Sequence, residues 1–287
     1  MVNRVIERVK AIEGKRDGYY CYQRLCEVAE FIETQFQNRG FVVERDCFTF
    51  RRRQYWNLIA TSNGFHSKQE WTLIGAHYDA VMDSPGADDN ASGVAVMLEI
   101  ADSLGPRQGL VFVAFTLEEP QPFAGHFLIG SRNFVQRATE QGHAFKAVFI
   151  LESVGYIDSR EGSQIKPPFV KGPSTGDFLA VVGDLNSSEL IRLYEEAARE
   201  TGLKTFPYKA RFRGHLLPET RFSDHAPFWD KGFPALMLTD TAMFRNPYYH
   251  TSEDTSDKLN PTFMSLVKET TERCVKKLLK LNSQIRK

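Results

Sequence analysis

The chain is short of the features that would place it at once in a structural class. Its four cysteines, Cys21, Cys26, Cys47 and Cys274, form no CxxC pair and no compact framework, which argues against a disulfide scaffold and for reduced, mostly buried thiols. No apolar stretch approaches the ~20 residues of a membrane span. The opening Met1-Val-Asn-Arg-Val-Ile-Glu-Arg-Val-Lys10 alternates charge with apolar residues and lacks the continuous apolar core of a signal peptide. A cytoplasmic protein with no membrane partner is therefore expected. Thirty-six basic residues balance 36 acidic ones and no long basic tract occurs, so nucleic acid is not an expected partner. The short cluster Arg51-Arg-Arg53 suits a solvated edge strand protected by charge. Internal repeats and low-complexity linkers are also lacking, so the 287 residues are expected to form one domain, 1–287, with a helical segment over residues 1–40 packed on it.

What is present is a set of short apolar runs that each stop at a polar, metal-compatible residue. Trp71-Thr-Leu-Ile-Gly-Ala76 reads as a strand buried on both faces and is followed by His77-Tyr-Asp79. Gly109-Leu-Val-Phe-Val-Ala-Phe-Thr-Leu117 reads as a second and ends in Glu118-Glu119. Phe145-Lys-Ala-Val-Phe-Ile-Leu151 reads as a third and ends in Glu152. Further strands are expected in Phe41–Phe50, Trp56–Ala60, Asp177–Gly183 and Phe233–Leu238, with helices near Ser92–Ser103, Ser188–Glu200 and Thr262–Leu281. Strands that alternate with helices predict an α/β fold, a three-layer α/β/α sandwich.

Ligands in open α/β sheets collect at the carboxyl ends of the strands, which is where these residues fall. An isolated His-x-Asp is more often a core or turn histidine, but from its position Asp79 could accept the second imidazole N–H of His77. Asp88 and Asp89 precede a helix; Asn90 and Ser92 can cap it, whereas two adjacent aspartates exceed what a cap needs and repel unless one meets a cation. Alternation along a strand would separate Glu118 from Glu119, so that one can ligate while the other serves as a base, although a solvated pair is the commoner meaning of Glu-Glu. His250 lies in the turn-rich run Asn246-Pro-Tyr-Tyr-His-Thr251. Two histidines and three carboxylates are too many for one tetrahedral zinc, but suit two metals roughly 3.5–4 Å apart that share a carboxylate.

The motifs His77-Tyr-Asp79, Gly86-Ala-Asp-Asp-Asn-Ala-Ser-Gly93, Glu118-Glu119, Leu151-Glu-Ser-Val-Gly-Tyr156, Ser223-Asp-His-Ala-Pro-Phe228 and Tyr249-His-Thr251, in this order and preceded by Trp56-Asn-Leu-Ile-Ala60, resemble those of the M28 zinc aminopeptidases. The resemblance covers about residues 56–260. It implies a zinc-exopeptidase-like, mixed, mainly parallel sheet of about eight strands. It also implies two zinc ions, with Co or Mn as substitutes: Asp89 bridges, His77 and Glu152 complete one site, and Glu119 and His250 complete the other. Glu118 would be the general base, Asp79 would orient His77, Tyr249 would assist the oxyanion, and Asp224 would be a carboxylate just behind the ligands. Many members have Asp where this chain has Glu152, which adds a methylene of reach.

The implied activity is removal of the N-terminal residue from a peptide with a free N-terminus, by a hydroxide that both metals share. Glutaminyl cyclases use the same fold with one zinc and typically carry Trp at the position of Tyr249; noncatalytic binding proteins descended from peptidases are the second alternative. Ser223 could cap a short helix, and His225, His66, His126, His143 and His215 match no ligand position. The irregular segment Gly155–Thr175 either borders the substrate cleft or is disordered. For the first substrate subsite, an aromatic pocket from Phe123, Phe127, Phe222, Phe228, Trp229 and Phe244 competes with a basic one from Arg211, Arg213 and Arg245.

Overall fold

The computed structural model describes residues 2–66, 69–122, 125–167 and 170–285. Two helices, α1 (Val2–Ile12) and α2 (Tyr22–Gln37), precede a hairpin of β1 (Val42–Phe50) and β2 (Arg53–Thr61), and β3 (Glu70–His77) leads to α3 (Gly93–Leu104). Then come β4 (Leu110–Phe115), α4 (Ile129–Glu140), β5 (Ala144–Glu152), β6 (Leu179–Asp184), α5 (Ser188–Thr201), β7 (Thr205–Ala210), α6 (Ala226–Asp230), β8 (Ala235–Thr239) and α7 (Pro261–Ile285). The strands form one mixed sheet in the order β1-β2-β4-β3-β5-β8-β6-β7. The four central strands β4, β3, β5 and β8 run parallel.

Burial on both faces explains the largely apolar character of β3, β4 and β5, which are exposed or half-buried only at Glu70, Ala144 and Lys146. One core lies between the sheet and α1, α2, α3, α5 and α7; the other lies beneath α4 and α6 on the opposite face. This is the expected three-layer α/β/α arrangement. Helix α3 is buried almost all round, as its apolar composition requires. Helix α1 is bound to it by Arg8, which pairs with Glu99 and Asp102 at 2.9 and 2.8 Å.

Three local expectations change. The N-terminal helix is not continuous: Glu13 to Cys21 interrupts it, with Gly14 at φ +123° and Gly18 packed on Leu117. Arg51 and Arg52 lie in the β1–β2 turn at positive φ and Arg53 opens β2, so the basic cluster makes a hairpin turn and does not line the edge strand. The eighth strand, β7, has no counterpart among the runs read from sequence because Pro207 interrupts it; at the sheet margin a missing N–H is tolerated. All four cysteines are free, but against the expectation of mostly buried thiols only Cys274 is buried; Cys21 and Cys26 are half-buried and Cys47 is exposed. No helix among the described residues is long and apolar enough to cross a membrane.

Candidate metal centre

His77 is the last residue of β3 and Glu152 the last of β5, so parallel pairing brings both to the same sheet edge. His77 is fully buried, with Nε2 3.1 Å from Asp89 Oδ1, 3.4 Å from Glu152 Oε1 and 3.9 Å from Glu118 Oε2. On the other side of Asp89, His250 Nε2 lies 3.1 Å from Oδ2 and 3.4 Å from Glu119 Oε2. The Asp89 carboxylate thus offers one oxygen to each histidine. Potential ligand atoms of His77, Asp89 and Glu152 all lie within 4.8 Å of one another, and the same holds for Asp89, Glu119 and His250.

Local backbone aims these groups. Between β3 and α3 the chain makes a wide turn, Ala87–Ser92, in which Asp89 departs from helical angles. Asp88 faces the opposite way: its oxygens accept the Gly155 N–H at 2.8 Å and the Asn246 side-chain amide at 2.7 Å. One aspartate therefore fastens the turn to two other loops while its neighbour meets the histidines. Asn90 caps α3 through the Gly93 N–H at 3.1 Å, but Ser92 donates back to the Asp88 carbonyl.

Strand alternation does not separate Glu118 from Glu119, because β4 ends at Phe115 and Leu117 has φ +51°. A turn does so, clamped by Asp79, whose two oxygens accept the Glu118 and Glu119 N–H groups at 3.2 Å each. Asp79 Oδ1 is 3.5 Å from His77 Nδ1, too far for a good hydrogen bond, so its contact with the imidazole is secondary to this clamp. Tyr249 stacks on the His250 ring at 3.8 Å.

Two contributors had no role at the centre in the sequence reading. Ser223 donates to Glu152 Oε2 at 2.6 Å and is not a helix cap. Asp254 accepts the Asp88 and Asp89 N–H groups at 2.8 and 3.1 Å. Both stand inside runs of visible polar density, whereas Arg16, buried against the Tyr78 and Gly86 carbonyls, carries no such signal. His225 is buried with Nε2 against the Thr220 carbonyl, His143 accepts the Trp71 indole N–H, and His66 contacts the Asn63 carbonyl. Each has a structural partner.

The electrostatics describe a cluster at odds with itself. Burial drives Glu119 up to about 8, with Asp89 adding to the rise. Burial likewise raises Glu118 well above the carboxylate range despite His77, and lifts Asp224 to about 7 against His77 and the Ser131 hydroxyl. His250 would be lowered by burial, but Asp89 and Glu119 raise it to about 10. Asp89 would rise on burial and is instead held far down by His250 and His77. Moreover Asp89 Oδ1, Glu119 Oε1 and His250 Nε2 are buried without an aligned hydrogen-bond partner among the described residues. Buried polar atoms rarely stay unsatisfied. Imidazole nitrogen and carboxylate oxygen are zinc-type donors, and a divalent cation would satisfy these atoms and counter the upward shifts of Glu118 and Glu119. The residues fit such ions.

Beside Glu152 and Tyr249 opens a cleft with about 880 Å³ of empty space, continuous with solvent. Its apolar walls include Phe178, Phe206, Met237, Phe222 and Phe244, and its rim includes parts of the 164–173 loop. That loop belongs to the segment expected either to border the cleft or to be disordered; Asp158 pairs with Gly176 at its base. Of the aromatic set, Phe222 and Phe244 line the cleft, Phe127 packs edge-on against Phe222, and Phe228 and Trp229 are wholly buried in the core. Phe123 lies outside the described residues. None of the three arginines lines the cleft. Arg245 is buried and donates to Gln164 Oε1 and the Phe178 carbonyl, Arg213 donates to the Asp230 carbonyl, and Arg211 borders a separate hollow.

A family model described as peptidase family M28 matches residues 57–275. The uncharacterized protein YfbL of Escherichia coli K12 is 36% identical over 253 residues, covering 83% of this chain and 76% of that one. A probable leucine aminopeptidase of Arthroderma otae is 27% identical over 233 residues, 77% of this chain and 56% of its own length, so the chain spans little more than half of that relative. In fold, the crystal structure of Porphyromonas gingivalis glutaminyl cyclase superposes with a TM-score of 0.71 at 17% identity, over 97% of this chain and 98% of that one. The motifs, the length of the match and the identity to the bacterial relative agree, and the chain belongs to peptidase family M28.

Proposed function

We propose that the protein is a zinc-dependent aminopeptidase whose centre holds two ions, one on His77, Asp89 and Glu152 and the other on Asp89, Glu119 and His250. The observation that carries this reading is the Asp89 carboxylate, with Oδ1 and Oδ2 each 3.1 Å from a different histidine. Two zinc ions so held would supply Lewis-acid polarisation of the scissile carbonyl and acidify a water molecule. The chain supplies the proton traffic: Glu118, buried beside the ligands, takes a proton from the attacking water and passes it to the leaving amine. Burial suits it to act first as base and then as acid. Asp79 and Ser223 hold Glu118, Glu119 and Glu152 in place. The Tyr249 hydroxyl is assigned to the developing oxyanion.

Tyr249→Phe should lower kcat with KM little changed, since an oxyanion donor acts mainly in the transition state and its loss costs roughly 2.7–4 kcal/mol. A wild-type kcat would leave the ring's packing on His250 as its whole role.

The cleft beside Glu152 is assigned to the side chain of the N-terminal residue. Large apolar residues there should exceed glycine in kcat/KM by about 1–3 kcal/mol, the scale on which apolar pockets discriminate. The test uses metal-free protein, with zinc, cobalt or manganese restored, against aminoacyl amides, their N-acetylated counterparts and N-terminal glutaminyl peptides. Hydrolysis confined to free amines and led by large apolar residues is expected. Equal cleavage of the N-acetylated set would refute an aminopeptidase, cyclisation of the glutaminyl set would favour an acyltransferase, and a ranking led by Asp or Glu would refute the apolar subsite.

A further inference from the structure

The interruption between α1 and α2 carries a feature that the metal reading does not use. Arg16 is wholly buried and spends its guanidinium on main-chain carbonyls: Nε donates to Tyr78 at 2.8 Å, Nη2 to Gly86 at 2.8 Å, and Nη1 to Gly14 at 3.1 Å and to Pro85. Tyr78 follows His77, and Gly86 opens the turn that presents Asp89. A single side chain therefore holds both ends of the loop that joins the two residues. The fit is close. Gly86 has φ +58°, and a Cβ there would lie 2.3 Å from the Asp89 carbonyl and 3.0 Å from Arg16 Nη2.

The flanking residues reach the other loops of the centre. The Gly14 N–H donates to the Pro85 carbonyl at 2.9 Å. Glu13 accepts the Ser256 N–H and hydroxyl at 2.8 and 2.9 Å, two residues beyond Asp254. Gly18 abuts Leu117, immediately before Glu118, so closely that a Cβ would sit 2.2 Å from Leu117 Cδ2. Residues 13–18, which precede the family-matched region, thus brace the loops of His77 and Asp89, of Glu118 and Glu119, and of Asp254. Burial lowers Arg16 to about 10 while Asp79, Asp254, Asp89 and Glu119 work against that fall, so it stays cationic at neutral pH.

We propose that Arg16 is a positioning residue of the metal centre, fixing the course of the chain from His77 to Asp89 so that the ligands stand ready before a cation binds. This rests on the metal reading above, and a zinc titration of the wild-type protein separates the two: a chain that binds no divalent cation would overturn that reading itself. Given zinc binding by the wild type, Arg16→Met should weaken it about 10- to 100-fold, the range typical of groups that orient ligands, and Arg16→Lys, which keeps the charge but not the fork, should fall between. Zinc affinity within twofold of wild type in either variant, with only a lower Tm, would overturn the proposal. Should Arg16→Met not fold, Arg16→Lys carries the comparison. Hydrogen exchange of the metal-free proteins adds a readout independent of catalysis. The amides of Ala87, Asp88 and Asp89, which all donate to Asp254, should be protected in the wild type and exchange faster in Arg16→Lys; free exchange in the wild type until zinc is added would refute preorganisation.

Discussion

Glu118→Gln is expected to leave the zinc content unchanged and to lower kcat by on the order of 10²- to 10⁴-fold, the range of a lost general acid–base group. The amide is nearly isosteric and the Glu118 N–H bond to Asp79 belongs to the backbone, so the turn that also sets Glu119 should survive. Glu118 Oε2 lies 3.9 Å from His77 Nε2, farther than either Asp89 or Glu152 from that nitrogen, in keeping with its proposed role in proton transfer; its ligand atoms are nevertheless within 4.8 Å of those of His77 and Glu119, so metal content is the measurement that decides. The check is elemental analysis after dialysis together with steady-state kinetics on one aminoacyl amide. Metal lost in proportion to activity would make Glu118 a ligand and leave the base unidentified.

A different pattern is expected for Asp89→Asn, in which stoichiometry and activity should fall together. Its two oxygens face His77 and His250 at equal distance, so one substitution would weaken both proposed sites by removing the charge they would share, and would replace an oxygen by an amide nitrogen that cannot ligate in the same way. Asp88 makes an internal control. It is adjacent in sequence and equally buried, but it is bonded to Gly155 and Asn246, so Asp88→Asn should act mainly on the stability of these loops. Wild-type stoichiometry in Asp89→Asn would show that the bridge lies elsewhere.

The sequence by itself determined the fold class and the candidates at the sheet edge. Each central strand is an apolar run that stops at a polar residue, and strand ends are where a parallel sheet gathers its ligands, so His77 and Glu152 could be located from local pattern alone. The family motifs then singled out Asp89, Glu119, His250 and Glu118. Tertiary structure decided what pattern cannot encode. The motif named Asp89, but the reason that Asp88 does not compete with it lies in Gly155 and Asn246, 67 and 158 residues away, which occupy the Asp88 carboxylate and leave Asp89 turned to the histidines. Asp79 clamps backbone amides of a turn nearly 40 residues on, and its spacing from His77 alone gave no sign of this. Phe228 and Trp229 went to the core and Phe178 and Phe206 to the cleft because membership of a pocket depends on which face of the sheet is left uncovered, while β7 is a strand because its neighbour supplies pairing that Pro207 cannot disrupt from the margin. Arg16 is the extreme case: a cation in a short break between helices carries no pattern, and its partners are carbonyl groups, which every residue has and which only the fold brings to one point.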